Sequence, residues 1–115
     1  MEVSDSTSPA LQSGLNSFDD YTEDSPGTPE SWNIVNSDSE FGFSSSGAYS
    51  DASFSSGTNF LGFNGANRIQ VAHRDVQSSG SGDDVTVDFQ AEVGSTHNQA
   101  NGTYEATITA TATTL

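Results

Sequence analysis

Two stretches near the end of the chain alternate strictly between apolar and polar residues. In DVTVDFQAEV, Val85, Val87, Phe89, Ala91 and Val93 fall on one side, and Thr86, Asp88, Gln90 and Glu92 on the other. Successive side chains of an extended strand point to opposite faces, so the pattern predicts a half-buried strand. TYEATITATATTL repeats it, with Tyr104, Ala106, Ile108, Ala110 and Ala112 set against Glu105, Thr107, Thr109, Thr111 and Thr113. This predicts a long closing strand with a threonine ladder on its wet side. The polar run at 94–102, GSTHNQANG, is too long for a two-residue hairpin and reads as a solvent loop, with Asn101-Gly102 supplying turn chemistry at its end.

Upstream the signals are shorter. RIQVAHRDV sets Ile69, Val71 and His73 against Gln70, Ala72 and Arg74, a strand pattern; SWNIV reads as a short strand, and Phe41 and Phe43 of FGF alternate to one face. Between them, Tyr49, Phe54, Phe60 and Phe63 are spaced through Gly/Ser loops, as aromatic plugs docking on a sheet would be. Residues 1–31 carry Pro9, Pro26 and Pro29 among Ser, Asp and Gly, with scattered anchors at Val3, Leu11, Leu15, Phe18 and Tyr21. Leu11, Leu15 and Phe18 sit at i, i+4 and i+7, which suits one or two helical turns, though Gly14 interrupts them. No other run holds a 3.6-residue period. The expectation is an all-β chain: an antiparallel β-sandwich, Ig-like or jelly-roll-like, over 32–115, behind a loop-rich lead segment, 1–31, that could pack on the sheet. Val85, Val87, Phe89, Tyr104, Ile108 and Trp32 are its expected core.

Composition narrows the function classes. At 115 residues the chain is one domain long, and 31% apolar residues imply a thin core. Sixteen acids against two arginines give a net charge of −14, which disfavours nucleic acid and anionic membranes as partners. No stretch reaches the roughly 18 apolar residues that a membrane helix needs, so direct membrane insertion is not expected. Absent cysteines remove disulfides, thiolate metal sites and cysteine nucleophiles. A lysine-free surface with 20 Ser and 12 Thr fits an extracellular or cell-surface location; a halophilic cytosol, where carboxylates maintain solubility, is the competing habitat.

The ordered string LNSFDDYTEDSPGTPESWNIVNSDSEFGFSSSG, then NFLGF, RIQVAHR, DDVTVDFQAEVG and NGTYEATITATATTL, resembles the C-terminal part of exported β-rich surface proteins predicted in uncultured bacteria, the Patescibacteria group among them. The resemblance runs from about Gly14 to Leu115, and Phe41-Gly42-Phe43 and the closing strands with Gly102-Thr103-Tyr104 at their junction are its most specific parts. It implies an exported location and a β fold rather than a task. Proteins of this look carry further strands and a signal segment ahead of the stretch corresponding to VSDSTSPALQSGLNS. If Met1 stands at an abbreviated start, the sandwich would lack strands that such proteins possess and would expose a sheet edge able to recruit a strand from another chain.

Catalytic motifs are missing: no G-x-S-x-G, H-E-x-x-H or phosphate loop occurs, and the chain is not expected to be an enzyme. Asp88 and Glu92 share a strand face at a spacing of roughly 13 Å, too wide for a glycosidase pair. Calcium is the one cofactor considered, because Asp19-Asp20, Glu23-Asp24, Asp38-Ser39-Glu40 and Asp83-Asp84 are loop carboxylate pairs. Asp83 and Asp84, ahead of a rigid strand, are the preferred ligands; otherwise these acids are solvated and set turns. Trp32 and the phenylalanines suit either a core or a carbohydrate platform, Arg68 and Arg74 suit ion pairs, and Asn101-Gly102-Thr103 is either a glycosylation sequon or a plain turn. Without lysine, isopeptide-linked pilus assembly is excluded. The leading expectation is a structural surface protein that pairs by strand edges with copies of itself or with other surface proteins, as in a pilus-like fibre. The alternative is a calcium- or carbohydrate-binding module of a secreted adhesin or enzyme.

Overall fold

The computed structural model describes residues 1–65, 67–77 and 80–113. These residues form ten strands and one 3-10 turn, Ala52–Phe54. In chain order the strands are β1 Glu2–Asp5, β2 Gln12–Ser13, β3 Asn16–Ser17, β4 Asp19–Asp20, β5 Glu30–Ser31, β6 Ser39–Gly47, β7 Asn59–Gly62, β8 Ile69–Gln70, β9 Val85–Val93 and β10 Ile108–Thr111. The fold is all-β, with mainly antiparallel pairing.

β6 organises the larger, five-stranded sheet. Along one edge it pairs antiparallel with β9 over the full nine residues, from Ser39 opposite Val93 to Gly47 opposite Val85. Its other edge is shared: β4 runs parallel at Glu40 and Phe41, then β7 runs antiparallel at Gly42 and Phe43, with β5 beyond β7. A second sheet has the order β10-β1-β8, and β2 and β3 form a separate two-stranded hairpin.

One apolar cluster lies between contributions from both larger sheets: Val3 of β1, Phe41 and Phe43 of β6 and Leu61 of β7, joined by Phe18, Phe54, Phe63 and Val71. Aromatic rings do much of the filling, with Phe43 4.7 Å from Phe63 and Phe18 edge-on to Tyr104 at 5.0 Å. Ile69, Val87 and Ile108 pack against this cluster from β8, β9 and β10. β6 is buried on both faces although it reads SEFGFSSSG. Its serines are tolerated because they find carbonyls: the Ser44 hydroxyl donates to Asn59 O and the Ser45 hydroxyl to Val71 O.

Several expectations need correcting. The lead segment is not only loops, because β1 is the central strand of the second sheet, and Val3, Ala10, Phe18 and Tyr21 are buried. No helical turn forms around Leu11–Phe18; β2 and β3 turn about Gly14 at φ 61°, which leaves Leu15 in water. SWNIV is not a strand, since β5 ends at Ser31. In the RIQVAHRDV segment only Ile69–Gln70 is strand, and Ala72 is buried while His73 is exposed, the reverse of strict alternation. Of the expected core, Phe89 is 49% exposed, and Trp32, Val85, Val87, Tyr104 and Ile108 are half-buried. The closing strand is regular only over Ile108–Thr111, and its expected end at Thr114 and Leu115 lies outside the described residues.

Candidate functional site

β9 has one edge on β6 and no paired strand on the other among the described residues. The ladder's phase follows from its first rung. Gly94 N–H donates to Asp38 O at 2.8 Å, and these two residues stand opposite each other in the same register. Antiparallel neighbours alternate between pairs that exchange hydrogen bonds and pairs that do not, so Glu92, Gln90, Asp88 and Thr86 turn their backbone groups toward β6. Tyr21 N–H donates to Phe41 O at 2.8 Å on the opposite side of β6, as this phase requires. Val85, Val87, Phe89, Ala91 and Val93 therefore present N–H and C=O outward. Their side chains lie on the same face as Phe41 and Phe43, and two of them, Phe89 and Val93, are 49% and 42% exposed. Phe89 stacks on Phe41 with centroids 6.0 Å apart, so its outer half is held in place rather than free to fold away.

Edge strands in stable monomers are commonly blunted by Lys, Pro or a covering loop. β9 has neither residue, and its acids, Asp88 and Glu92, project to the other face. On that face Glu92 accepts from Trp32 Nε1 at 2.6 Å. Trp32 has one ring face on Tyr21, centroids 4.5 Å apart, and meets Phe60 edge-on at 5.4 Å, which places it in an aromatic cluster.

The expected calcium ligands part company. Asp83 accepts from Arg74 Nη1, and the same guanidinium lies 4.4 Å above the Tyr49 ring. Asp84 is exposed beside it. Arg68 pairs with Glu2 at 3.7 Å. Among the described residues, no three His, Cys, Asp or Glu side chains converge to hold a metal ion.

Two acidic places stand out: the first brings together members of three carboxylate pairs that the sequence offered, Asp19-Asp20, Glu23-Asp24 and Asp38-Ser39-Glu40, and the second, Asp5, was not singled out by the sequence. Glu40, buried on β6, faces an open groove of about 450 Å³ with Asp19, Glu23, Asp24 and Asp38. Burial foremost, then the charges of Asp38, Asp19 and Glu23, push its carboxyl up to about 7 against an accepted backbone N–H from Thr22. Asp5 on β1 is 5% exposed, and neither carboxylate oxygen has a hydrogen-bond partner in another residue. Its signal was available, since Asp5 stands two positions after Val3 and so shares the face that enters the core.

The loop at 94–102 is tied down rather than free. His97 Nδ1 contacts Ser37 O at 2.7 Å, while Gln99 Oε1 accepts from the Ser39 hydroxyl at 2.6 Å and its amide donates to Ser17 O at 3.1 Å. This fixes the strand's exit and with it the Val93 end of the edge. Comparison with protein-family models, with curated proteins and with solved structures finds no match.

Proposed function

We propose that this chain is an extracellular structural module, a β-sandwich in which the two larger sheets are the layers, and that it assembles by pairing the outer edge of β9 with β9 of a second copy. The observation that carries this reading is the nine-residue edge of β9, unblunted and flanked by exposed Phe89 and Val93. A two-fold antiparallel register centred on Phe89 makes the edge self-complementary. It sets Val85 against Val93, Val87 against Ala91 and Phe89 against Phe89, all residues whose backbone groups face outward. On the other face it sets Thr86 against Glu92 and Asp88 against Gln90, so every acid meets a neutral residue. Apolar cross-strand pairs stabilise such a ladder, whereas like charges directly opposed would oppose it.

β10, at an edge of the three-stranded sheet, offers a second, shorter edge. Two edges on one chain allow growth into a fibre, and the lysine-free Ser/Thr surface and strong negative charge suit display outside the cell. The test is sedimentation velocity over a rising concentration series with the unmodified chain and Ala91→Pro. Proline at 91 removes one outward N–H and spares the β6 ladder, a position that edge strands tolerate. Dimers or longer species in the unmodified chain, and monomers in an Ala91→Pro variant with unchanged circular dichroism, are expected. A monomer at millimolar concentration in both would end the proposal.

A further inference from the structure

We infer that Asp5 and Asp20 form a binding site for one divalent cation, of the calcium class, that ties the two larger sheets together. Asp5 belongs to β1 of the three-stranded sheet and Asp20 to β4 of the five-stranded one. The Asp5 side chain is 5% exposed, and both its oxygens are without a partner in another residue. A buried carboxylate left in this condition is strongly unfavourable unless something positive or a proton joins it.

Among the described residues no cationic group meets it, the Met1 ammonium donating instead to Ala72 O at 2.7 Å. There is no lysine, and the two arginines are committed elsewhere, Arg68 to Glu2 and Arg74 to Asp83. His73 pairs with Asp75, and His97 lies against Ser37 O and Gln99. The one other side-chain charge that acts on it is again negative, that of Asp20. Asp20 is itself held in position: Oδ1 accepts from Ala10 N–H at 2.9 Å and Oδ2 from the Ser8 hydroxyl at 3.2 Å. Each of these oxygens keeps lone-pair capacity for a further partner. One fixed carboxylate beside one buried, unpartnered carboxylate, with oxygen the only donor type, is chemistry for a hard cation. Among the described residues no three His, Cys, Asp or Glu side chains converge, so backbone carbonyls, hydroxyls and water would complete the shell, as calcium permits.

The experiment titrates chelator-treated chain with calcium chloride in about 0.15 M salt, where exposed charges are screened beyond about 8 Å. Calorimetry reads stoichiometry, and melting temperature reads linkage. One ion per chain is expected, with melting raised by roughly 10 °C when calcium is about a hundredfold above its dissociation constant. Asp5→Asn should abolish both, while Asp88→Asn, on the exposed face of β9, should leave both intact. In chelator the Asp5→Asn variant should melt no lower than the unmodified chain, because it relieves a buried charge. Should Asp5→Asn not fold, Asp20→Asn with the same readouts takes its place. Absence of an ion, or equal calcium response in the unmodified chain and the Asp5→Asn variant, overturns the site; the first outcome means that a proton neutralises the pair, the second that diffuse counter-ions respond. Neither outcome bears on pairing through β9.

Discussion

Glu40 shows how a single buried acid sets a stability profile. The carboxyl lies under the groove with Asp19, Glu23 and Asp38 about it, and Glu92 is its cross-strand neighbour on β9. Its value, raised from 4.5 to about 7, means that the folded chain keeps a proton which the unfolded chain has already released. The stabilising contribution is therefore complete below about 4.5 and is lost as pH rises through about 7. The displacement corresponds to on the order of 3 kcal/mol. Burial also raises Asp5 and Asp20, which act in the same direction, while the Ser53 hydroxyl and N–H lower Asp51. Glu40→Gln, neutral at every pH, should flatten the profile: urea denaturation at pH 8 should find it more stable than the unmodified chain by about 2–3 kcal/mol, with the two converging near pH 4. Parallel curves for the two proteins would mean that Glu40 is solvated.

At the scale of elements, the strand pairings depend on close backbone approaches at glycine, two of them beside Tyr21. An added Cβ at Gly62 would lie 1.8 Å from Tyr21 O, and one at Gly42 2.9 Å from Leu61 O and from Tyr21 Cβ. The glycines of FGF and LGF are thus what lets Tyr21, with Trp32 stacked on it, close over β6 and β7. Gly62→Ala should cost on the order of 3 kcal/mol or more in denaturant melts, whereas Gly80→Ala, with open space around its Cβ, should be near neutral. The same comparison explains what was legible beforehand. β9 was legible because its alternation needs no partner to be seen, and Phe41 and Phe43 were legible as core anchors. β6 was not legible as a whole, because SSSG carries turn composition and becomes strand only when β9, Asn59 O and Val71 O satisfy it. β1 was hidden for a related reason: its VSD core face contains an acid, so Val3 stood as an isolated anchor. The partial exposure of Phe89 is a property of sheet order, which alternation does not encode. Gln99 looked like loop filler, and only tertiary structure brings Ser17, Ser39 and Tyr104 to its amide.

At the scale of the molecule, shape and charge act on the proposed edge pairing in opposite directions. The chain is elongated, 49 × 26 × 22 Å with a Cα radius of gyration of 15.1 Å, against about 13 Å for a compact domain of this length. An elongated body with a long free edge presents much of its backbone to a neighbour. Yet each copy carries −14, so two copies repel until salt screens them. Screening shortens the reach of that repulsion from about 30 Å at 0.01 M to about 8 Å at 0.15 M, while backbone hydrogen bonds and the contacts of Phe89 and Val93 change little. In the register centred on Phe89 no acid opposes another, so the repulsion is mainly long-range and is the part that salt removes. The dissociation constant of the pair should therefore fall as sodium chloride rises from about 0.02 to about 0.5 M, with Ala91→Pro remaining monomeric throughout. Sedimentation equilibrium across that range decides the matter: an affinity that weakens with salt would mean that opposite charges, and not a shared sheet edge, hold the copies together.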